Sequence, residues 1–180
     1  MYQDTIYEHD EGALEVFYDI NERLQTYLLI TLDRQPYSVE PLNVLLINSI
    51  RGVFILDEEE VGQTLGFINN ALATTTDPQL YFGILNFLIA VEHGITDEER
   101  NTMFKESIYK VFKAMNELNF IDTEEEKLDL FAQYLAEYIQ DRQIEIDDDY
   151  VTSLIEEVEP LFKSYDYTDI VDAMYNQLDS

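Results

Sequence analysis

Apolar side chains in this chain recur in steps of three and four rather than two, over one stretch after another. Over 122–142 they are Leu128, Phe131, Leu135, Tyr138 and Ile139, and over 97–119 Phe104, Ile108, Val111, Phe112, Met115 and Leu118. Over 148–163 they are Val151, Leu154, Ile155, Val158 and Phe162, and over 168–178 Val171, Met174, Tyr175 and Leu178. This is the period of an α-helix with one buried stripe, not the alternation of a half-buried strand.

Helix starts punctuate the same stretches. Asp57-x-x-Glu60, Thr96-x-x-Glu99 and Thr123-x-x-Glu126 have the capping-box pattern, in which the first side chain accepts from a free backbone N–H and the Glu reaches back. Asp77-Pro78 sets a capping residue before a proline at the first helical position, and Ser38 before Val39-Glu40-Pro41 is a weaker start. Helix starts are therefore expected near 57, 77, 96, 123, 148 and 168. Gly52 and Gly94 are expected stops, and Pro160 should kink or end its helix near Glu159. The helix over 78–92 is apolar nearly all round, which places it at the centre. Leu14, Phe17, Leu24 and Leu28 begin one more helix near the N-terminus. Two stretches, 27–32 and 52–56, are β-prone and leave open a short hairpin or strand pair within 27–56. Only 6 Gly and 4 Pro are present, too few turn residues for many short strands. The expectation is an all-α, multi-helical bundle of seven or eight helices, forming one acidic helical domain over 1–180.

Charge is the second constraint. The chain has 38 acidic and 10 basic side chains, a net charge of −28. Its 13 Tyr and 10 Phe set it apart from disordered acidic chains, which are poor in aromatics. The imbalance is uneven: residues 117–180 hold 19 acids and 3 bases, and residues 1–22 hold 7 acids and no base. If the two ends lay side by side in the fold, they would form one strongly negative face. Many acids have a local reason, because first-turn carboxylates meet the positive end of the helix dipole, as at 57–60, 97–99 and 124–126. That does not explain why the opposite helix ends lack Lys and Arg. The clear i,i+4 pairs are Asp19–Arg23, Glu106–Lys110 and Glu159–Lys163. Lys105, Lys110 and Lys113 form the main basic cluster and read as ordinary helix pairing.

Motifs for chemistry are scarce. No cysteine is present, which excludes disulfides and thiolate catalysis, and neither phosphate-binding glycine pattern nor G-x-S-x-G occurs. Of the two histidines, His93 sits before Gly94, where an imidazole would interact with helix C-terminal carbonyls; neither belongs to a metal motif. Asp147-Asp148-Asp149 fails as a calcium loop, since Thr152 would stand at its glycine position and Val158 at its bidentate glutamate. Gly62-x-x-x-Gly66 suggests close helix packing. No metal or cofactor is expected. The N-terminal MYQDTIYEHDEG lacks the basic and apolar regions of a signal peptide. The longest apolar run, 81–91, is short of the roughly 20 residues a membrane helix needs. A cytoplasmic protein that neither enters membranes nor binds nucleic acid directly is the expectation.

The residues that folding leaves least explained lie in 122–150, which holds eleven acids and two bases. Glu124, Glu125, Glu126, Asp129, Glu137, Asp141, Asp147, Asp148 and Asp149 are the candidate partner-binding residues. A charge of 28 matches that of roughly 48 Å of duplex DNA, and a domain of this length has a diameter of about 40 Å. The expectation is a non-enzymatic inhibitor that presents a DNA- or RNA-like face to a basic, nucleic-acid-binding protein, as anti-defence proteins of phages and mobile elements do. The alternatives are an immunity protein or antitoxin that neutralises a basic toxin such as a nuclease, a carboxylate-rich enzyme, and a scaffold component.

Overall fold

The computed structural model describes residues 2–119 and 121–180, with side chains described from residue 11 onward. Eight α-helices account for most of the chain: α1 (Tyr2–Arg34), α2 (Val39–Ile50), α3 (Glu58–Thr74), α4 (Pro78–Ala90), α5 (Asp97–Leu118), α6 (Glu124–Arg142), α7 (Asp149–Val158) and α8 (Tyr167–Leu178). No strand occurs among the described residues. Residues 27–32 continue α1, and 52–56 form the link between α2 and α3, so the strand pair left open there does not exist.

The caps form where the side chains dictate. Asp57 and Glu60 make a complete capping box, each bonding the other's backbone N–H at 2.9 Å. Thr96 and Thr123 each accept from the amide three residues on, at 3.2 Å. Asp77 caps α4 with Pro78 in its first turn, and Asp148 caps α7. A second complete box, Asp166 with Asp169, opens α8, with Asp standing where Glu is usual. At the end of α2, Gly52 takes φ +71°, and the Gly52 and Val53 amides return to Ser49 and Asn48 in a Schellman closure. Pro160 ends α7 at Val158 and starts a 3₁₀ turn, Glu159–Leu161. That break puts Lys163 out of helical register with Glu159, and their ion pair does not form among the described residues.

The helices stack in series. α1 packs on α2 and α3, α2 on α4, α3 on α5, α4 and α5 on α6, α5 on α7, and both α6 and α7 on α8. One continuous apolar cluster runs through the stack from Leu28 to Met174. α4 lies at its centre, with Leu80, Ile84, Leu85 and Leu88 fully enclosed. Gly83 lets α4 approach α2, since a Cβ there would lie 3.3 Å from the Asn43 side chain. Gly62 and Gly66 do no such thing: both are exposed and an added Cβ at either meets nothing. The close packing read from their spacing is absent. α1 closes one end of the series and α8 the other, with no main packing contact between them, so among the described residues the two acidic ends of the chain do not pack side by side.

Candidate functional site

The acidic surface begins with the way α6 is held. Leu128, Phe131, Leu135, Tyr138 and Ile139 are all buried, which fixes the helix's rotation. At 100° per residue, Glu125, Asp129, Glu126, Glu137 and Asp141 then fall in one exposed arc of about 160° that extends about 24 Å along the axis. Gln133 and Gln140 share the arc, the half-buried Leu130 and the small, buried Ala136 interrupt it, and no basic residue lies on it.

At its C-terminal end α6 turns sharply. Gln143 takes φ 55°, and the Gln143 and Ile144 amides close back on Gln140 and Ile139. After a further short turn Asp148 accepts from the Tyr150 amide at 2.8 Å and starts α7. Asn101 of α5 ties these elements together. Its side-chain oxygen accepts from the Tyr138 hydroxyl at 2.5 Å, and its backbone carbonyl accepts from the Tyr150 hydroxyl at 2.7 Å. Burial pushes both phenols well above their ordinary pKa and keeps them as neutral donors. Tyr138 also stacks on Phe104, with ring centroids 3.8 Å apart.

This knot brings the start of α5 beside the end of α6 and the start of α7. Arg100 in the first turns of α5 accordingly feels both Asp97 and Asp141. Asp97, Glu98 and Glu99 thus join Asp141, Glu145 and Asp147 to Asp149 at one corner, all of them exposed. In the sequence Asp97 to Glu99 have only a local, dipole role, because nothing local shows that their neighbours are 40 to 50 residues away.

Eight of the nine candidate residues are exposed: Glu125, Glu126, Asp129, Glu137, Asp141 and Asp147 to Asp149. Glu124 is different. Its two carboxylate oxygens accept from the Lys163 amide at 2.5 Å and the Ser164 amide at 2.9 Å, clamping the link before α8. The Lys163 amide bond is the chief reason its pKa is lowered. Asp141 and Asp147 to Asp149 share the corner, whereas Glu125 and Glu126 lie at the far end of α6.

The cations explain why so little neutralises this surface. Arg100 is 1% exposed, and its guanidinium donates to the carbonyls of Leu88, at 2.8 Å, and Val91 at the end of α4. Lys110 donates to the Leu72 carbonyl in the last turn of α3. Lys127, also buried, donates to the Leu161 carbonyl at 3.0 Å and to Asn116, and lies 4.8 Å from the centre of the Phe162 ring. Burial lowers the pKa of both Arg100 and Lys127. None of these three helix ends has a basic residue in its own last turn. Each orphan carbonyl is served by a cation from a distant helix instead. His93 does not cap α4, which stops at Ala90; the imidazole is exposed in the following bend. Gly94 takes φ +77° in that bend, packed against Val61 and the Glu58 carbonyl.

The result is a segregation of charge. Lys105 is half-buried too, bonded to Ser153 at 3.0 Å and paired with Glu157 at 3.3 Å, and Arg142 pairs with its neighbour Asp141. Only Arg23, Arg34, Arg51, Lys113 and Lys163 are exposed, while no Asp or Glu among the described residues is buried. Among the described residues, thirty exposed acidic side chains therefore face five exposed cations. Among the described residues no three His, Asp or Glu side chains are arranged to hold a metal ion, and no helix is long and apolar enough to cross a membrane. No protein-family model matches the chain, and no curated protein or solved structure proved significantly similar to it.

Proposed function

We propose that this chain is a non-enzymatic inhibitor that covers the nucleic-acid-binding surface of a basic protein. The observation that carries the reading is the segregation of charge: half of the ten basic side chains are drawn inward, and the acids stay outside. A surface of this kind attracts a cationic partner over a Debye length and raises its association rate. The corner of α5, α6 and α7 and the outer arc of α6 form the contact, through Asp97, Glu98, Glu99, Glu125, Asp129, Glu137, Asp141 and Asp147 to Asp149. Glu124 acts from within, holding the α8 link. Inhibition of a host defence enzyme that handles nucleic acid is the setting this chemistry fits.

The test is competition. The immobilised chain is offered proteins that duplex DNA retains from a lysate, with and without free duplex. A four-site variant, Glu137→Gln, Asp141→Asn, Asp147→Asn and Asp149→Asn, leaves every helix cap in place. Wild type is expected to retain a basic protein that salt releases and duplex DNA displaces, and the variant to lose it. Equal retention by the variant, or indifference to duplex, would overturn the proposal.

A further inference from the structure

α1 carries an apolar stripe that the fold does not cover. Among the described residues the helix is anchored through its C-terminal half, where Leu28, Leu29 and Leu32 are buried. There the buried Gln25 amide donates to the Ile55 carbonyl at 3.1 Å and to Glu60 at 2.9 Å. Before that anchor, residues 11–20 are exposed without exception. The overhang nevertheless carries large apolar groups, Phe17 53% and Ile20 57% exposed, and within the anchored half Tyr27 on the same side is 65% exposed. A helical segment with no tertiary packing is marginal in water, so its apolar side calls for an occupant.

The spacing says which occupant fits. Ala13, Phe17, Ile20, Leu24, Tyr27 and Thr31 follow in steps of four, three, four, three and four. This is the a/d seam of a two-stranded coiled coil. Positions flanking the seam are Leu14, Val16, Asn21, Arg23, Leu28 and Ile30, with no acid among them, and of these Leu28 is already buried against the body. Glu11, Glu15, Asp19 and Glu22 lie on the opposite arc, and Asp19 is paired with Arg23 at 3.1 Å. A basic partner would find nothing to pair with along this seam, whereas a second copy meets it without facing an acid. The exposed apolar groups of α1 amount to roughly 700 Å² per chain, near the 800 Å² or so per partner of a standard interface.

We infer that two copies of this chain pair through α1 as an antiparallel coiled coil, Phe17 packing on the partner copy's Tyr27 and Ile20 on the partner copy's Leu24. Antiparallel pairing sets the two acidic bodies at opposite ends of the joined helices, where repulsion is least. It also leaves the corner of α5, α6 and α7 free, since none of these three helices makes a main packing contact with α1.

Sedimentation equilibrium of the full chain from about 1 to about 100 µM tests this. The expected mass is twice 21.1 kDa. The dimer should tighten between about 0.15 M and about 1 M NaCl as the screening length falls from about 8 to 3 Å. Binding of a basic partner responds to salt in the opposite sense, so failure of one association is distinguishable from failure of the other. Ile20→Glu with Leu24→Glu should weaken dimerisation on the order of 100-fold or more while leaving far-UV circular dichroism of the body intact. A mass of 21.1 kDa throughout, or an undiminished dimer in the double variant, would overturn the inference. The chain has no cysteine, so orientation can be read by disulfide formation. Ala13→Cys mixed with Thr31→Cys should cross-link, and Ala13→Cys alone should not; the reverse excludes the antiparallel seam.

Discussion

Replacing Arg100 by Leu removes the donor for two backbone carbonyls at once, those of Leu88 and Val91. A buried carbonyl left without a partner costs about 1–3 kcal/mol, so the two together lose roughly 2–6 kcal/mol. Against this stands the release of a guanidinium that burial disfavours, as its lowered pKa shows. Its Nε, moreover, has no hydrogen-bond partner to lose. A net loss of about 3 kcal/mol is expected. With a urea m-value of about 2–3 kcal/mol per molar, the unfolding midpoint should fall by about 1–1.5 M. Arg100→Lys, which can still reach one carbonyl, should lose about half as much. Lys113→Met, on the exposed face of the same helix, should change stability by less than about 0.5 kcal/mol. If Arg100→Leu unfolded at the same urea concentration as Lys113→Met, the idea that scarce cations are used as internal caps would be wrong.

Glu124→Gln should destabilise by about 1–2 kcal/mol at neutral pH, a figure reduced for solvent access to the clamp. Because the folded pKa of Glu124 is lowered, its contribution is complete above the unfolded value near 4.5 and is lost as pH falls through the folded value. The gap between wild type and variant in urea melts should therefore close below about pH 4.5. Gly62→Ala and Gly66→Ala fill open space on a helix surface and should each raise stability by about 0.5–1 kcal/mol; a loss would reveal a contact on that face. Gly94→Ala should instead lower the melting temperature, since its φ is +77° and the new Cβ would lie 2.9 Å from that of Val61. Gln143→Gly relieves a left-handed side-chain conformation at the end of α6 and should stabilise by about 1 kcal/mol.

What was legible in the sequence is local. The starts at Asp57, Asp77, Thr96 and Thr123 and the break at Pro160 each depend on residues within one turn, and each stands as read. The buried stripes of α6 and α7 were equally clear, because a 3.6-residue period needs no knowledge of the partner. The helix ends were not legible. Their carbonyls are served by Arg100, Lys110 and Lys127 from 12, 38 and 34 residues away, and no local pattern marks such a cation. His93 was the obvious local choice for α4 and is not used. Leu14, Phe17 and Leu24 of α1 have a buried stripe's spacing yet lie exposed, since period alone does not say whether anything covers the face. The candidate acids were legible as exposed charge. Their gathering with Asp97 to Glu99 depends on two tyrosine hydroxyls meeting Asn101, a long-range event.

The central claim is that the outward carboxylates bind a cationic, nucleic-acid-binding surface. Its most direct test is the affinity of the captured partner for wild type and for the four-site variant across a salt series. Neutralising four carboxylates at about 0.5–1 kcal/mol each should weaken binding on the order of 100-fold at low salt and flatten the salt dependence. An affinity that neither the four substitutions nor salt changes would contradict the account.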